Sequence, residues 1–366
     1  MKMKMKNIEY LLALHSVNGL GPVRLKALLD HFGDPKLVWE ASEKEIKSLG
    51  VPQPVVELFL ETRKKLDPEK YAQEMEKAGI KVLTIFDEGY PRLLKEIYDP
   101  PSVLYYWGEI LPRDERALAV VGTRKMTSYG RLVTEKFTQE LSLAGLTIIS
   151  GLARGVDSQA HKTTLENKGR TLAVLGGGLK HIFPPENTEL ARLIAQGQGA
   201  VISEFPPDHP SLPGNFPARN RVISGLSLGT LVTEAAEDSG SLITAKCALE
   251  QGREVFAVPG PITSDLSQGP SVLIKQGARL VTKAEEILEE LGLERVQSAE
   301  LRVKNEVKLT EAERGIVECL QRETKHIDEI CRELGLGAAQ VSAALIKMEI
   351  FGVVKNLGGG NYVRVC

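Results

Sequence analysis

The sequence is poor in cysteine and in net charge, and each shortage excludes a class of protein. Its four cysteines form no CxxC pair and no metal-like spacing with the six histidines, so we expect neither a disulfide framework nor a zinc site. A reduced, cytoplasmic protein without metal or other cofactor is the expectation. Because the formal charge is only −2 at pH 7, a polyanion site must be a confined, concave patch rather than the whole surface.

Long apolar runs are also missing. No run of about 18 apolar residues, the minimum for a membrane-spanning helix, occurs in the sequence. The basic start MKMKMKNIEY is followed by no apolar core of signal-peptide length, and we expect neither secretion nor membrane insertion. What is present is a chain of 366 residues with 42% hydrophobic content, enough for two or three domains and a sizeable core.

Residues 1–66 have apolar residues at helical spacing and predict a small all-α domain. Within it, VNGLGPVRLKALLDHFG (17–33) has the form of a helix-hairpin-helix, in which a glycine turn lets backbone N–H groups approach a DNA phosphate. Gly19 and Gly21 fit a tight turn between packed helices equally well, and the sequence leaves both interpretations open.

Residues 67–117 predict a connecting segment that packs on the following domain. The segment contains several prolines, which keep helices short, and an aromatic cluster of Tyr105, Tyr106 and Trp107. We interpret the cluster as packing against a sheet, because its neighbours are apolar. A platform for stacked bases is the alternative.

Residues 118–292 repeat the order strand, glycine-rich turn and helix, and they predict the main domain. The strands are apolar runs without alternation, so helices are expected on both faces of a mostly parallel sheet. In such a sheet the ligand crevice lies beyond the carboxyl ends of the strands. The predicted strands are 118–122, 146–151, 171–178, 200–205, 228–235, 254–260 and 277–282.

The first turn, GTRKMTSYG (122–130), is neither a dinucleotide fingerprint nor a P-loop. Arg124 stands where GxGxxG needs a small residue, and the sequence has no GxxxxGK[ST] motif. Arginine at this place is instead a charged phosphate ligand, in a turn that begins at Gly122 and has Thr123 as a hydroxyl donor. Ser128 is either a second donor or the cap of the following helix.

The second turn, SGLARGVDSQAH (150–161), places Arg154 before a helix. Gly151 has no side chain and so leaves the backbone of this turn accessible. Asp157 fits the first turn of that helix, and His161, with no nucleophile beside it, is interpreted as structural. Across all the loops we find no nucleophile with a base and no paired carboxylates. The loops are therefore expected to bind a ligand rather than to catalyse a reaction.

The third loop, GGGLKHIFPPEN (176–187), combines a charge with an aromatic ring. Its glycine triplet, which includes Gly177, is interpreted as room for a sugar or a backbone. Lys180 supplies a point charge and Phe183 a face for a base. A lone phosphate needs no such combination, so the loop favours a nucleic acid strand.

A fourth segment, FPARNRVIS, contains two arginines and an amide: Arg219, Asn220 and Arg221. These side chains cannot all point one way on a helix. One arginine is therefore expected to bind a carboxylate of the chain itself, such as Glu204 or Glu234.

Residues 293–308 are charged and poor in large apolar groups, which predicts a linker. Residues 309–366 have the pattern of three short helices and a hairpin, as in a winged helix. The third helix offers Gln340, Ser342 and Lys347 but no arginine for base edges. DNA reading through this helix and a role without DNA both stay open.

Taken together, the motifs resemble the DNA-processing protein A family (DprA/Smf). The resemblance is carried, in this order, by GTRKMTSYG, SGLARGVDSQAH, LGGGLKHIFPPEN, SEFPP, FPARNRVISGLS, EAAEDSGSLITAKCALEQGREVFAVPG and LIKQGA. It implies an extended Rossmann-like core, a helical N-terminus similar to a sterile alpha motif and a winged-helix C-terminus. It also implies a non-catalytic protein that binds single-stranded DNA in natural transformation, helps to load a RecA-type recombinase and forms a homodimer through the core.

The resemblance further implies that Arg124 is the main phosphate contact. Lys180 and Phe183 would supply the second charge and the stacking ring, and Asn220 a further nucleotide contact. The full set of candidate DNA-binding residues is Gly122, Thr123, Arg124, Ser128, Gly151, Arg154, Gly177, Lys180, Phe183, Arg219, Asn220 and Arg221.

Two other functions compete with this one. A nucleotide-processing phosphoribohydrolase on a related Rossmann-like fold needs a PGGxGTxxE segment, of which LGTLVTEAAEDSG (228–240) keeps only LGT and a glutamate. The other is an interaction protein whose terminal domains bind partners while the core is structural.

Overall fold

A computed structural model of the chain describes residues 6–293, 310–320, 324–350 and 353–364. The chain divides into two compact units, Met1–Val296 and Gln297–Cys366. Apart from residue 293, the predicted linker at 293–308 lies outside the described residues. The domain boundaries predicted at residues 66 and 117 stay predictions.

The first unit begins with a helical region, as the sequence predicts. Asp34, Ser42 and Asp67 each accept hydrogen bonds from backbone N–H groups in the first turn of a helix, which fixes three of the helix starts. Gly19 has a φ of 90°, and a side chain there would meet Val55, so packing between helices accounts for this glycine. The helices are α1 Ile8–His15, α2 Pro22–Phe32, α3 Pro35–Glu40, α4 Glu43–Ser48, α5 Gln53–Lys65 and α6 Pro68–Lys77.

A mostly parallel sheet forms the centre of the first unit. Its strands are β1 Lys81–Thr84, β2 Val103–Gly108, β3 Ala117–Val121, β4 Thr147–Ser150, β5 Thr171–Leu175, β6 Gly199–Ser203, β7 Gly229–Val232, β8 Glu254–Ala257 and β9 Arg279–Leu280. Their order is β1-β2-β6-β5-β4-β3-β7-β8-β9, and only the pairs β1–β2 and β2–β6 are antiparallel. The predicted parallel sheet is confirmed, and each predicted strand is present.

Helices cover both faces of this sheet. They are α7 Arg92–Lys95, α8 Ser128–Leu143, α9 Val156–Glu166, α10 Thr188–Gln196, α11 Asn215–Gly225, α12 Gly240–Glu250, α13 Gln268–Lys275 and α14 Ala284–Glu290. The residues of β3 do not alternate in polarity because both faces of the strand are covered. Leu118 shares one apolar cluster with Phe137 of α8, whereas Ala119 shares another with Val222 of α11.

The two antiparallel strands at one edge were not predicted as strands. The sequence places β1 and β2 in a connecting segment, because their runs are short and lie among prolines and aromatic residues. The packing interpretation is confirmed for Tyr105, which is fully buried in β2 and hydrogen-bonds His15 Nδ1 at 3.1 Å. Desolvation at this contact lowers the pKa of His15 to about 4, so a neutral imidazole joins the helical region to the sheet.

The strand order creates a switch point at β3, which lies between β4 on one side and β7 on the other. At such a point the connections leave the sheet in opposite directions. A crevice therefore opens outside the carboxyl ends of the two central strands, as in other doubly wound folds.

The second unit has the predicted winged-helix pattern. It contains α15 Glu311–Cys319, α16 Ile327–Leu334 and α17 Ala338–Ile350, with β10 Lys325–His326, β11 Val354–Gly358 and β12 Asn361–Arg364. The strands form an antiparallel sheet in the order β10-β12-β11. In the described ranges of both units, no helix has the length and apolar character that a bilayer span requires.

Candidate functional site

A cavity of about 750 Å³ occupies the crevice at the switch point. Its walls come from the turn after β3, the loops after β4 and β5, and the first turns of α11 and α12. Of the candidate residues, those lining the cavity are Gly122, Thr123, Arg124, Phe183, Arg219 and Asn220. A smaller adjoining pocket is lined by Gly151 and Arg154, together with Arg124, Phe183 and Arg219. The fold thus brings loops that are distant in sequence to one edge of the sheet.

The turn after β3 is clamped between β7 and α9. The Thr123 N–H donates to the Glu234 carbonyl at 2.6 Å, and the Thr123 carbonyl accepts from Val156 N–H at 3.1 Å. A side chain at Gly122 would come within 2.6 Å of the Glu234 carbonyl oxygen, so glycine is required there. Both ends of the turn are held, and Arg124 projects from it.

Arg124 is a weakly restrained cation of the crevice. Its side chain is exposed, and no carboxylate within residues 6–293 lies at ion-pair distance. Its guanidinium carbon lies 5.7 Å from the ring centre of Phe216, a cation–π contact. Lys125, also exposed, lines the same cavity. The charge here is available to an anion.

Ser128 does not cap α8, contrary to one of the two roles considered for it. The cap is Thr127, whose Oγ1 accepts from Gly130 N–H at 3.1 Å and donates to Glu234 at 2.7 Å. Thr127 has the extended backbone of a capping residue, while Ser128 is already the first helical residue. Ser128 is exposed, and its hydroxyl as a DNA contact stays a prediction.

Arg219 is a buried cation beneath the exposed ones. It is 4% exposed, and its guanidinium donates to the Val174 carbonyl and fills the space beside Gly151. Burial lowers the pKa of Arg219 to about 10, which leaves it charged at neutral pH. Nearby, the Asp157 carboxylate accepts from Gly151 N–H at 3.1 Å, and its predicted place in the first turn of α9 is confirmed.

The loop after β5 carries a charge and a ring, both accessible. Lys180 Nζ lies 3.0 Å from Asp208, and the two side chains are 43% and 61% exposed. Phe183 is 44% exposed, and its ring centre lies 5.7 Å from that of Phe216. Arg154, similarly exposed, pairs with Glu186. These pairs lie at the surface, where solvent screens them strongly.

The glycine triplet has a different explanation from the one the sequence suggests. A side chain at Gly176 would meet the Phe216 ring, one at Gly177 would meet Ser211, and one at Gly178 would meet carbonyl oxygens of the following segment. The space that was interpreted as room for a sugar is filled by the chain itself. A DNA contact at Gly177 stays a prediction without support from the packing.

The FPARNRVIS segment splits its polar side chains between two environments, as predicted. Arg221 pairs with Glu204 and, at 3.1 Å, with Asp99, and it is not among the residues lining the crevice. The predicted pairing with a carboxylate of the chain is confirmed for Glu204, and it removes the geometric support for Arg221 as a DNA contact. Asn220 donates to the Gly240 carbonyl at 3.1 Å, at the start of α12.

His161 is structural, as predicted. It is fully buried in α9, and its Nδ1 lies 2.7 Å from the Thr171 hydroxyl oxygen. Burial lowers the pKa of His161 to about 3, so the ring is neutral under ordinary conditions. It does not face the crevice as a base.

Two family models match this chain. The model of DNA recombination-mediator protein A covers residues 81–292, and that of the DprA winged helix domain covers residues 302–360. The chain belongs to the DNA recombination-mediator protein A family. The resemblance drawn from the motifs is thereby confirmed.

Relatives in this family are similar along most of the chain. Protein Smf of Escherichia coli is 39% identical, over 94% of this chain and 95% of its own. The structure of DNA processing protein A from Streptococcus pneumoniae, at 37% identity and a TM-score of 0.68, covers 79% of this chain and 99% of its own. The Helicobacter pylori protein, whose single-stranded DNA binding mode has been described, has a TM-score of 0.52 at 29% identity over 58% of this chain and 95% of its own.

Within this family core, Lys125 and Phe216 both line the crevice, although neither is among the site residues predicted from the sequence. The signal for Phe216 was present, because it precedes Arg219 by one helical turn in a motif already singled out. For Lys125 the only signal is its place beside Arg124, which does not reveal the direction of the side chain.

Proposed function

We propose that this family member binds single-stranded DNA across the crevice at the switch point. The observation that carries the proposal is a concave site lined by the exposed cations Arg124 and Lys125 and by the exposed ring of Phe183, with Lys180 exposed on the same loop as Phe183. Charges that track a backbone and rings on which bases stack are the features shared by single-strand binding sites. The binding mode described for the Helicobacter pylori relative supports the same conclusion.

The cations of the site are able to exchange partners. Within residues 6–293, no carboxylate pairs with Arg124, so Arg124 breaks no ion pair when it binds a phosphate. Lys180 has to separate from Asp208, but both side chains are exposed. An exposed ion pair of this kind contributes only about 0–1 kcal/mol of stability. A phosphate therefore replaces the existing contacts at little cost.

The proposed function is non-catalytic. Glu234 accepts hydrogen bonds from Thr127, Asp157 holds the loop after β4, and His161 is buried, so these groups hold the fold. Incubation with nucleoside monophosphates is expected to release no free base, and base release measured by chromatography would favour the phosphoribohydrolase alternative. A homodimer through the core, loading of a RecA-type recombinase and a role in natural transformation complete the proposal, on the basis of family membership.

The test is a titration of single- and double-stranded oligonucleotides at several salt concentrations. Single strands are expected to bind more tightly, and about three neutralised phosphates give a log–log salt slope of about −2. Arg124→Ala should weaken binding to oligonucleotides of different sequence alike, because a phosphate contact carries no sequence information. Equal affinity for duplex, or an unchanged affinity of the Arg124→Ala variant, would contradict the proposal.

A further inference from the structure

Phe216 contacts both of the side chains to which the phosphate and the base are assigned. Its ring centre lies 5.7 Å from the Phe183 ring, with the planes inclined by 52°, and 5.7 Å from the Arg124 guanidinium carbon. On another side its Cδ1 would be only 2.8 Å from a side chain at Gly176, so the end of β5 packs directly against the ring. Phe216 is half-buried in the first turn of α11.

Arg124 and Phe183 have little else to hold them. Arg124 is exposed and makes no ion pair within residues 6–293, and Phe183 is 44% exposed. An unrestrained arginine or phenylalanine samples several rotamers and loses that freedom when it binds a ligand. Phe216, fixed by a helix and by the sheet, reduces this loss for both side chains.

The two contacts with Phe216 are complementary in chemistry. A guanidinium is attracted to the face of an aromatic ring, and two inclined rings attract each other through their quadrupoles. Arg124 belongs to the turn after β3 and Phe183 to the loop after β5, and Phe216 contacts both. We infer that Phe216 is a positioning residue that couples the phosphate contact of Arg124 to the base contact of Phe183.

This inference rests on the proposed function and adds an energetic consequence to it. If one ring orders both side chains, removal of Arg124 changes what Phe183 contributes, and the two effects on affinity are not additive. Without the ring, the contributions of Arg124 and Phe183 become independent. A merely structural role of Phe216 changes stability without changing this coupling.

The experiment measures binding of a labelled oligothymidylate by fluorescence anisotropy, with the melting temperature as a folding control. Phe216→Leu is expected to weaken binding about fivefold, through loss of the cation–π and ring contacts. Phe216→Tyr, which keeps the ring, is expected to restore binding to within about twofold. The exposed Phe86, outside the crevice, provides the matched control Phe86→Leu, with no change expected.

The decisive measurement is a double-mutant cycle of Arg124→Ala and Phe183→Ala, made once in the wild-type background and once in the Phe216→Leu background. Coupling that is present in the wild-type background and absent in the Phe216→Leu background supports the inference. Wild-type affinity of Phe216→Leu, or equal coupling in both backgrounds, overturns it. Should Phe216→Leu fail to fold, Phe216→Met carries the same cycle. A wild-type protein that binds no oligothymidylate overturns instead the proposed function on which the inference rests.

Discussion

The loop after β5 in the first unit and the third helix of the second unit both present a lysine next to a carboxylate, but the two pairs differ in exposure. Lys180 pairs with Asp208, which is 61% exposed, whereas Lys347 pairs with Glu313, which is only 4% exposed. Glu313 also accepts from the Thr310 N–H at the start of α15. Withdrawing Lys180 leaves a hydrated carboxylate, but withdrawing Lys347 leaves a buried one.

The difference indicates that Lys180 is able to exchange its carboxylate for a phosphate at lower cost than Lys347. On this criterion α17 is poorly suited to bind a phosphate through Lys347. Two large apolar residues of this unit, Ile346 of α17 and Leu357 of β11, are also exposed, at 56% and 55%. The alternative left open by the sequence, a winged helix that does not read DNA, is the one we favour.

The largest expected effect is the combined loss of Arg124 and Lys180. Arg124→Ala with Lys180→Ala should weaken single-strand binding by at least about 100-fold, because two hydrogen bonds to charged groups, at about 1.5–3 kcal/mol each, together contribute about 3–6 kcal/mol. A filter-binding titration measures the change. The matched control replaces Lys64 and Lys77, exposed lysines on α5 and α6, by alanine. An equal loss in the control would show that net charge, rather than this site, determines affinity.

The second effect is a loss of stability of the first unit in acid. The folded-state pKa values of His15 and His161 are lowered to about 4 and about 3, so the unfolded chain binds these protons first as the pH falls. The stabilisation is present above the ordinary histidine pKa of about 6.5 and is lost progressively below it, at up to about 1.4 kcal/mol per pH unit for each group.

Tryptophan fluorescence during urea unfolding measures this loss, because both tryptophans of the chain, Trp39 and Trp107, lie in the first unit. The His161→Gln variant should lose less stability than the wild type between pH 7 and pH 4. A pH dependence identical to that of the wild type would show that His161 is not the group responsible.

A smaller effect is expected from the paired lysine of the winged helix. Lys347→Ala should reduce the stability of the second unit by about 1 kcal/mol, since it leaves the Glu313 carboxylate without its cation. Hydrogen exchange of the α17 amides measures this change. Single-strand affinity is expected to stay within about twofold of the wild type. A large loss of affinity with unchanged exchange would contradict the contrast between the two lysines.

The smallest effect has the opposite sign. Asp208→Asn removes the negative charge that pairs with Lys180, so single-strand binding should tighten about two- to threefold. The difference should disappear at high salt, where exposed charges are screened. Asp67→Asn, which replaces another exposed carboxylate on the helical region, is the control and should leave the affinity unchanged.

Much of the fold was predictable because it depends on local features of the sequence. The apolar runs of β3, β5 and β6 are buried along their whole length, and such runs indicate a covered parallel sheet wherever they lie. β1 and β2 escaped prediction because their pairing is antiparallel and long-range. Nothing within residues 67–117 alone indicates that Tyr105 of β2 will pair with Ser203 of the neighbouring strand β6.

The candidate site was predictable as a set of loops, but not in its details. Arg219 and Arg221 are indistinguishable in the sequence. They differ in the structure because residues two apart on a helix face different neighbours: one lines the crevice and the other meets Glu204. The glycine triplet and Phe216 show the same limit, since the sequence does not reveal what fills the space beside a glycine.

By itself, then, the sequence determined the parallel sheet, the winged-helix pattern and the loops that carry the cations, because periodicity and turn residues act over a few positions. The tertiary structure alone decided which cations are free. That outcome depends on which carboxylates the fold brings within reach: Asp208 at the surface for Lys180, Glu313 in the interior for Lys347, and none within residues 6–293 for Arg124.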